Sequence, residues 1–197
     1  MKLLSEGAEA KIYLLSIFGT MLLVKKRHAK PYRASQLDIL LRKTRTKKEA
    51  HAMLAAKKAG VSVPAVYATG SDEIYMEFVK GVLMRDSVFD QKIIADVGIE
   101  LAKLHNAGIA HGDFTPANIL LTKDGVCVID LGLAEPNAGI EEKAIDLLLM
   151  KRSLPKEFYL IFENAYAKAY AGSSAVLHRL AEIEKRGRYQ ARTIANV

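Results

Sequence analysis

His111-Gly112-Asp113-Phe114-Thr115-Pro116-Ala117-Asn118, followed by Ile129-Asp130-Leu131-Gly132, is the stretch from which the fold is read. Asp113 and Asn118 stand five apart, and Asp130 follows Asn118 by twelve residues. Apolar runs at Ile119-Leu120-Leu121 and Val126-Cys127-Val128 lie between them, so a short hairpin would carry Asp130 back beside Asn118. Phosphoryl transfer needs such a set. A carboxylate must stand near the attacking hydroxyl, which Asp113 can supply. A divalent ion must be held against the phosphates by hard oxygen donors, which Asn118 and Asp130 can supply. Pro116 stiffens the loop, and Gly132 is expected to let the backbone turn just past the metal ligand. Turn capping would account for either motif alone; it does not account for both, in this order, between apolar strands.

A phosphotransferase also needs a cation on the nucleotide phosphates, held by a carboxylate. Lys25 follows the apolar run Met21–Val24 and is the first candidate. Lys26 is adjacent, and alternation leaves the two open because a slip of one residue reverses the face. Glu49 is the only acid between residues 39 and 71, which makes it the natural partner; a surface pair with Arg45, one helical turn away, is the alternative. Gly7, Ala8, Glu9 and Ala10 precede the strand-like Lys11–Leu15, where a phosphate-covering loop belongs. Their single glycine is far short of a glycine-rich fingerprint, so position is their support. Glu77, Phe78 and Val79 follow a strand-like run and would offer the backbone that pairs with adenine.

The rest of the chain fits around these elements. Ile12–Leu15 and Met21–Val24 read as strands about a turn at Phe18-Gly19-Thr20. Residues 34–58 read as a helix, with Leu37, Leu40, Leu41, Ala50, Met53 and Leu54 at helical spacing and Gly60 as its stop. Glu73–Val79 reads as a strand, and residues 91–107 as an amphipathic helix. From Ile140 onward the pattern is helical, broken at Pro155 and Gly172. The 197 residues are half hydrophobic, enough for a substantial core. No apolar run approaches the ~18 residues of a membrane span, and the N-terminal apolar patch is too short for a signal peptide. The single cysteine, Cys127, permits no internal disulfide, and a cytoplasmic location is expected. The formal charge of +7 is concentrated: residues 25–58 carry twelve Lys or Arg against Asp38 and Glu49. Lys185, Arg186, Arg188 and Arg192 add a second basic stretch after a helix expected over Val176–Glu184. Such concentration points to a polyanion, RNA or DNA, met through its phosphates.

Over nearly its whole length the chain resembles the small atypical kinase/ATPase subunit of the KEOPS complex, within the protein-kinase-like superfamily. The matching stretches are GAEA at 7–10, KPYR at 30–33, LDILLRKTRTKKEA at 37–50, MEFVKG at 76–81, LAKLHNAGIAHGDFTPANIL at 101–120, IDLGLA at 129–134, EEKAIDLLLMKRSL at 141–154 and RGRYQAR at 186–192. The resemblance implies an α+β, two-lobed kinase-like fold, with a small β-rich N-terminal lobe holding one main helix and a reduced, mostly helical C-terminal lobe. On that pattern residues 1–76 are the N-lobe, 77–81 the hinge and 82–197 the C-lobe. It implies ATP and magnesium as cofactors, catalysis at Asp113, metal binding at Asn118 and Asp130, and phosphate contact by Lys25 paired with Glu49. It also implies partners: the threonylcarbamoyl-transferring subunit of the complex, a small regulatory subunit, and tRNA met by the basic segment 25–58 and the tail 185–192.

The departures from ordinary kinases are informative. Gly112 stands where an arginine normally docks a phosphorylated activation loop. Thirteen residues separate Gly132 from Asp146, and no Ala-Pro-Glu lies among them. Docking of a protein substrate is thus poorly provided for, and ATP hydrolysis is as natural an activity as protein phosphorylation. Two alternatives share part of the pattern. A RIO-type ribosome-maturation kinase is also small and basic, but does not account for Arg186-Gly187-Arg188. A small-molecule kinase of the aminoglycoside or sugar type shares His-Gly-Asp and the asparagine, but predicts an acidic substrate pocket.

Overall fold

The structure, a computed structural model, describes the backbone of residues 1–195 and the side chains of residues 1–186. Five strands open the chain: β1 (Lys2–Glu6), β2 (Ala10–Ile17), β3 (Thr20–Arg27), β4 (Val66–Thr69) and β5 (Glu73–Glu77). They form one antiparallel sheet in the order β1-β2-β3-β5-β4. The β2–β3 hairpin turns through Phe18 at φ 48° and Gly19 at φ 79°, the two positive φ values that let a tight turn match the twist of its strands. β3 runs past Val24 to Arg27, three residues further than the apolar run suggests, because Lys25 and Arg27 point into the protein and keep the pairing with β2 in register.

Helix α1 (Ser35–Lys58) crosses between β3 and β4. Its inner face is Asp38, Thr46, Glu49, Ala50, Met53 and Ala56, residues one or two turns apart. The second half of that face joins the core with Ile74 and Met76 of β5. The first half is polar. Asp38 accepts from the Lys30 amide at 3.1 Å and from Arg42 Nε at 2.7 Å. Leu37 and Leu40, although at helical spacing with the apolar residues of α1, do not face inward: they are 50% and 60% exposed, because the carboxylate–arginine cluster takes the inner stripe and turns the leucines out.

After β6 (Val82–Leu83) come α2 (Gln91–Asn106), β7 (Ile109–Ala110), β8 (Ile119–Thr122), β9 (Gly125–Val128), β10 (Glu135–Pro136), α3 (Ile140–Ser153), α4 (Lys156–Ala169) and α5 (Ser173–Ala195). Asp90 caps α2, its carboxylate accepting from the Ile93 amide at 2.9 Å. Helices α2 and α4 pack closely at Gly98, where a Cβ would come within 2.5 Å of the Phe162 carbonyl oxygen. Strands β6, β8 and β9 form a small antiparallel sheet, and β7 pairs with β10. Cys127 is buried in β9, and burial pushes its thiol up to about 11, which leaves it protonated and unreactive near neutral pH. Helix α5 corrects a second expectation: its backbone continues through Lys185 and Arg186 to Ala195 rather than ending near Glu184.

His105, at the end of α2, is fully buried between two polar groups. Its Nε2 lies 3.2 Å from Asp146 Oδ2 and its Nδ1 2.8 Å from the Tyr166 hydroxyl. The pairing fits a neutral ring that donates from Nε2 and accepts at Nδ1. Burial lowers the His105 pKa below its ordinary 6.5, against the opposing pull of Asp146. A depressed folded-state pKa gives stability that is fully present above 6.5 and is lost as pH falls through the folded value. Denaturant unfolding between pH 7.5 and 5 should therefore show stability falling on acidification, by up to about 1.4 kcal/mol per pH unit within the window. His105→Gln should remove that slope.

Candidate active site

β3 delivers Lys25 and Arg27 to one face and Lys26 to the other, as strand alternation requires. Lys26 pairs with Glu73 on β5. Lys25 is buried and donates to Glu49 Oε1 and to Asp130 Oδ1, both at 2.7 Å. Of the two adjacent lysines, Lys25 is the one that faces Glu49 and the cleft. Glu49, 1% exposed, also accepts from Arg27 Nη2 at 2.6 Å, so one buried carboxylate of α1 holds two cations of β3. Arg45, the alternative partner for Glu49, instead donates to Glu9. Burial pulls the Lys25 pKa down, but the charges of Glu49 and Asp130 outweigh it and leave it raised. Burial likewise opposes ionisation of Asp130, and Lys25 outweighs it, holding the carboxyl below its usual range. Both groups are thus fixed in their charged forms across the neutral range.

Asp130 has φ +59°, a left-handed conformation rarely taken by a residue with a side chain. The positive φ lies here and not at Gly132, which corrects the role expected for that glycine. Gly132 makes room instead: a Cβ there would stand 3.0 Å from Asp130 Oδ1 and 3.4 Å from Arg27 Nη2. Its amide donates to Asp130 Oδ1 at 3.2 Å.

The loop after β7 faces this cluster. Asn118 Nδ2 donates to the Asp113 backbone carbonyl at 2.8 Å and to Asp113 Oδ2 at 2.9 Å. These bonds orient the Asp113 carboxylate through Asn118 Nδ2 and do not involve the Asn118 amide oxygen. His111 Nε2 lies 3.0 Å from the Ile129 carbonyl oxygen, tying this loop to the strand that ends at Asp130. Gly112 has φ +82°, and a Cβ there would meet the Leu133 carbonyl oxygen at 2.4 Å. No arginine fits that backbone.

Two residues that sequence reasoning did not select hold the site together. Arg27 is one. Asp146 of α3 is the other: fully buried, it accepts the His111 amide at 2.7 Å, the Gly112 amide at 2.9 Å and His105 Nε2. An aspartate inside the apolar run AIDLLLM was the available signal, since an acid on a buried helical face needs partners.

The two halves enclose a cleft of about 180 Å³ lined by Ile12, Leu23, Met53, Met76, Leu120 and Ile129, with Lys25, Glu49, Asn118 and Asp130 at its polar end. Apolar walls with a few polar groups converging at one end are the usual composition of a small-molecule site. Of the residues expected at the hinge, Glu77 and Val79 line it, and Phe78 does not. Gly7, Ala8 and Glu9 form the turn from β1 to β2, and Ala10 begins β2. Glu9 alone of these four reaches the adjoining space, which it lines with Lys25, Arg27, Asp113 and Asp130. Lys185 and Arg186 are exposed, while the side chains of Arg188 and Arg192 lie outside the described residues.

Replacing the lysines separates the two faces of β3. Lys25→Met should weaken ATP binding by roughly tenfold to a hundredfold, the scale of a lost charged hydrogen bond, and Lys26→Met should leave it near wild type. Fluorescent-nucleotide titration of both variants measures this, and equal losses would contradict the assignment.

The RIO domain family matches residues 11–150. The chain is 36% identical to a protein of Pyrococcus abyssi named KEOPS complex subunit Bud32, across 98% of each chain. It is also 36% identical to a probable bifunctional tRNA threonylcarbamoyladenosine biosynthesis protein of Methanothermobacter thermautotrophicus, covering 95% of this chain but 36% of that one. Among solved structures, the Rio2 kinase–ADP/Mg²⁺–phosphoaspartate complex of Chaetomium thermophilum superposes with a TM-score of 0.67, at 19% identity, over 96% of this chain and 72% of the other. That likeness is one of fold.

Proposed function

The chain belongs to the RIO-domain family of kinase-like proteins, in the group of the KEOPS subunit Bud32, and from that premise we propose that it is an ATP-dependent phosphotransferase and ATPase serving tRNA threonylcarbamoyladenosine formation. The observation that carries the reading is the bridge at Lys25. Its ammonium joins Glu49 and Asp130 at 2.7 Å each, at the polar end of an apolar cleft that Asn118 also lines.

In this reading the adenine lies among Ile12, Leu23, Met76 and Leu120, against the backbone of Glu77–Val79. Residues 1–76 serve as the nucleotide-covering lobe, 77–81 as the hinge and 82–197 as the catalytic lobe. Lys25 takes the α- and β-phosphates while Glu49 keeps it in place. The donor set fits magnesium, since one carboxylate and one amide oxygen leave positions for phosphates and water. When bound at Asn118 and Asp130, magnesium would neutralise charge on the phosphates. Asp113 orients the attacking hydroxyl, of water or of a side chain, and accepts its proton. Asn118 keeps that carboxylate aimed.

We place the protein in the cytoplasm; no described helix is long and apolar enough to cross a membrane. Its partners in this account are the threonylcarbamoyl-transferring subunit, a small regulatory subunit, and tRNA at the basic surface 25–58 and the tail 185–192. The test is an ATP-hydrolysis assay on the protein alone, and then with tRNA and the threonylcarbamoyl-transferring enzyme. Magnesium-dependent hydrolysis that rises with the tRNA-modifying partner supports the reading. Hydrolysis that ignores both additions contradicts its tRNA half, and absent hydrolysis contradicts its catalytic half.

A further inference from the structure

Between the β1–β2 turn, the end of β3 and the start of α1 lies a small basic pocket lined by Glu9, Arg27, His28, Lys30, Arg33, Arg42 and Arg45. Its cations are not equally engaged. Arg42 is tied to Asp38 and Asp72. Arg45 has Glu9 as its carboxylate partner, and Arg27 Nη1 reaches the other oxygen of the same group at 3.1 Å. Among the described residues Lys30 Nζ has no carboxylate partner: it donates to the Ala8 carbonyl oxygen and stands 3.1 Å from His28 Nε2. Glu9 thus places two carboxylate oxygens between two guanidinium groups, as a bound oxyanion would. Burial opposes its charge, but the Arg45 hydrogen bond and the charges of Arg45, Arg27 and Arg33 keep its pKa low. The carboxylate comes from a turn whose side chain is 52% exposed, whereas Arg27 is fixed from behind by buried Glu49. Arg27 is thus anchored from behind, and Glu9 meets it from the solvent side.

We propose that Arg27, Lys30 and Arg45 form an oxyanion site, beside the nucleotide cleft and sharing Arg27 with its wall, that takes a backbone phosphate of RNA, and that Glu9 occupies it when no RNA is bound. A guanidinium pair matches a phosphate as it matches a carboxylate. RNA is favoured as the source because exposed Lys43 and Lys47 continue the positive surface along α1, spacing charge for a polymer. This rests on the tRNA reading above, yet it is measured without ATP or catalysis, so failure of one is distinguishable from failure of the other.

The experiment is fluorescence-anisotropy titration of an unmodified tRNA transcript across a salt series, on the full chain. The variants are Lys30→Gln/Arg45→Gln, Glu9→Gln, and Lys123→Gln/Lys168→Gln as a double of equal charge change elsewhere on the surface. The Lys30/Arg45 double should bind about tenfold or more weaker, with its log–log salt slope reduced by roughly 1.4–1.8, at 0.7–0.9 per lost contact. Glu9→Gln should bind several-fold tighter, because the internal competitor loses its charge; this arm stands even if the arginine variant folds poorly. The control double should change little. The proposal is overturned if the control matches the Lys30/Arg45 double, or if Glu9→Gln binds no tighter than wild type. A parallel titration with inorganic phosphate, followed by NMR of the arginine side chains, separates the sources. Competition between phosphate and tRNA supports the RNA site, and saturable phosphate binding with no tRNA binding overturns RNA as the ligand.

Discussion

Asp113→Asn should lose about 10²–10⁴ in the rate of ATP-dependent phosphoryl transfer while the protein stays folded. An amide cannot accept the proton of the attacking hydroxyl, so positioned general-base help disappears. The local structure has reason to survive. Asn118 Nδ2 also donates to the Asp113 backbone carbonyl at 2.8 Å, and that bond does not depend on the carboxylate. The asparagine side-chain oxygen can take over the second bond, now from Asn118 to Asp113 Oδ2 at 2.9 Å. Hydrolysis rates measured beside melting temperatures separate chemistry from folding. A rate within a factor of two of wild type at unchanged melting temperature would remove Asp113 from the mechanism.

Glu49→Ala should be the most costly single change to stability in the N-terminal half. Glu49 is 1% exposed and holds Lys25 at 2.7 Å and Arg27 at 2.6 Å. Deleting one member of a buried charge cluster leaves the others uncompensated, which typically costs about 3–5 kcal/mol. Here the lower end applies, because Lys25 keeps Asp130 and Arg27 keeps Glu9, both of which face solvent. Glu49→Gln should recover only a small part of the loss, because its one amide oxygen can keep one of the two hydrogen bonds while its NH2 faces the other donor. Urea unfolding of the three proteins gives the ranking. A Glu49→Ala change below about 1 kcal/mol, the scale of a surface ion pair, would mean the cluster is not the anchor described here.

The catalytic loop was legible because its chemistry forces residue types and spacing together. Asp113, Asn118 and Asp130 come close only if a short hairpin lies between them, and the apolar runs that build β8 and β9 are plain in the sequence. The kinase-like α+β fold followed from the same stretch and from the resemblance around it. Other features depend on packing that a linear pattern does not carry. Lys25 and Lys26 are equivalent until β3 has a register. Leu37 and Leu40 look like core residues by spacing, and nothing local announces that Asp38 and its arginines will take the inner stripe of α1. Gly132 looks like the flexible point of its turn, but the strained backbone falls on Asp130 because Lys25 and the Gly132 amide hold its carboxylate. Asp146 is 34 residues from the glycine whose amide it binds, a distance across which local signals say nothing.

In the proposed function Lys25, Asn118 and Asp130 form one magnesium–nucleotide site. Calorimetric titration of ATP into the protein, with magnesium and then with EDTA, against Asp130→Ala, tests it most directly. Binding should require magnesium in the wild type and be lost in Asp130→Ala at unchanged secondary structure. Equal ATP affinity in magnesium and EDTA, with Asp130→Ala indistinguishable from wild type, would contradict it.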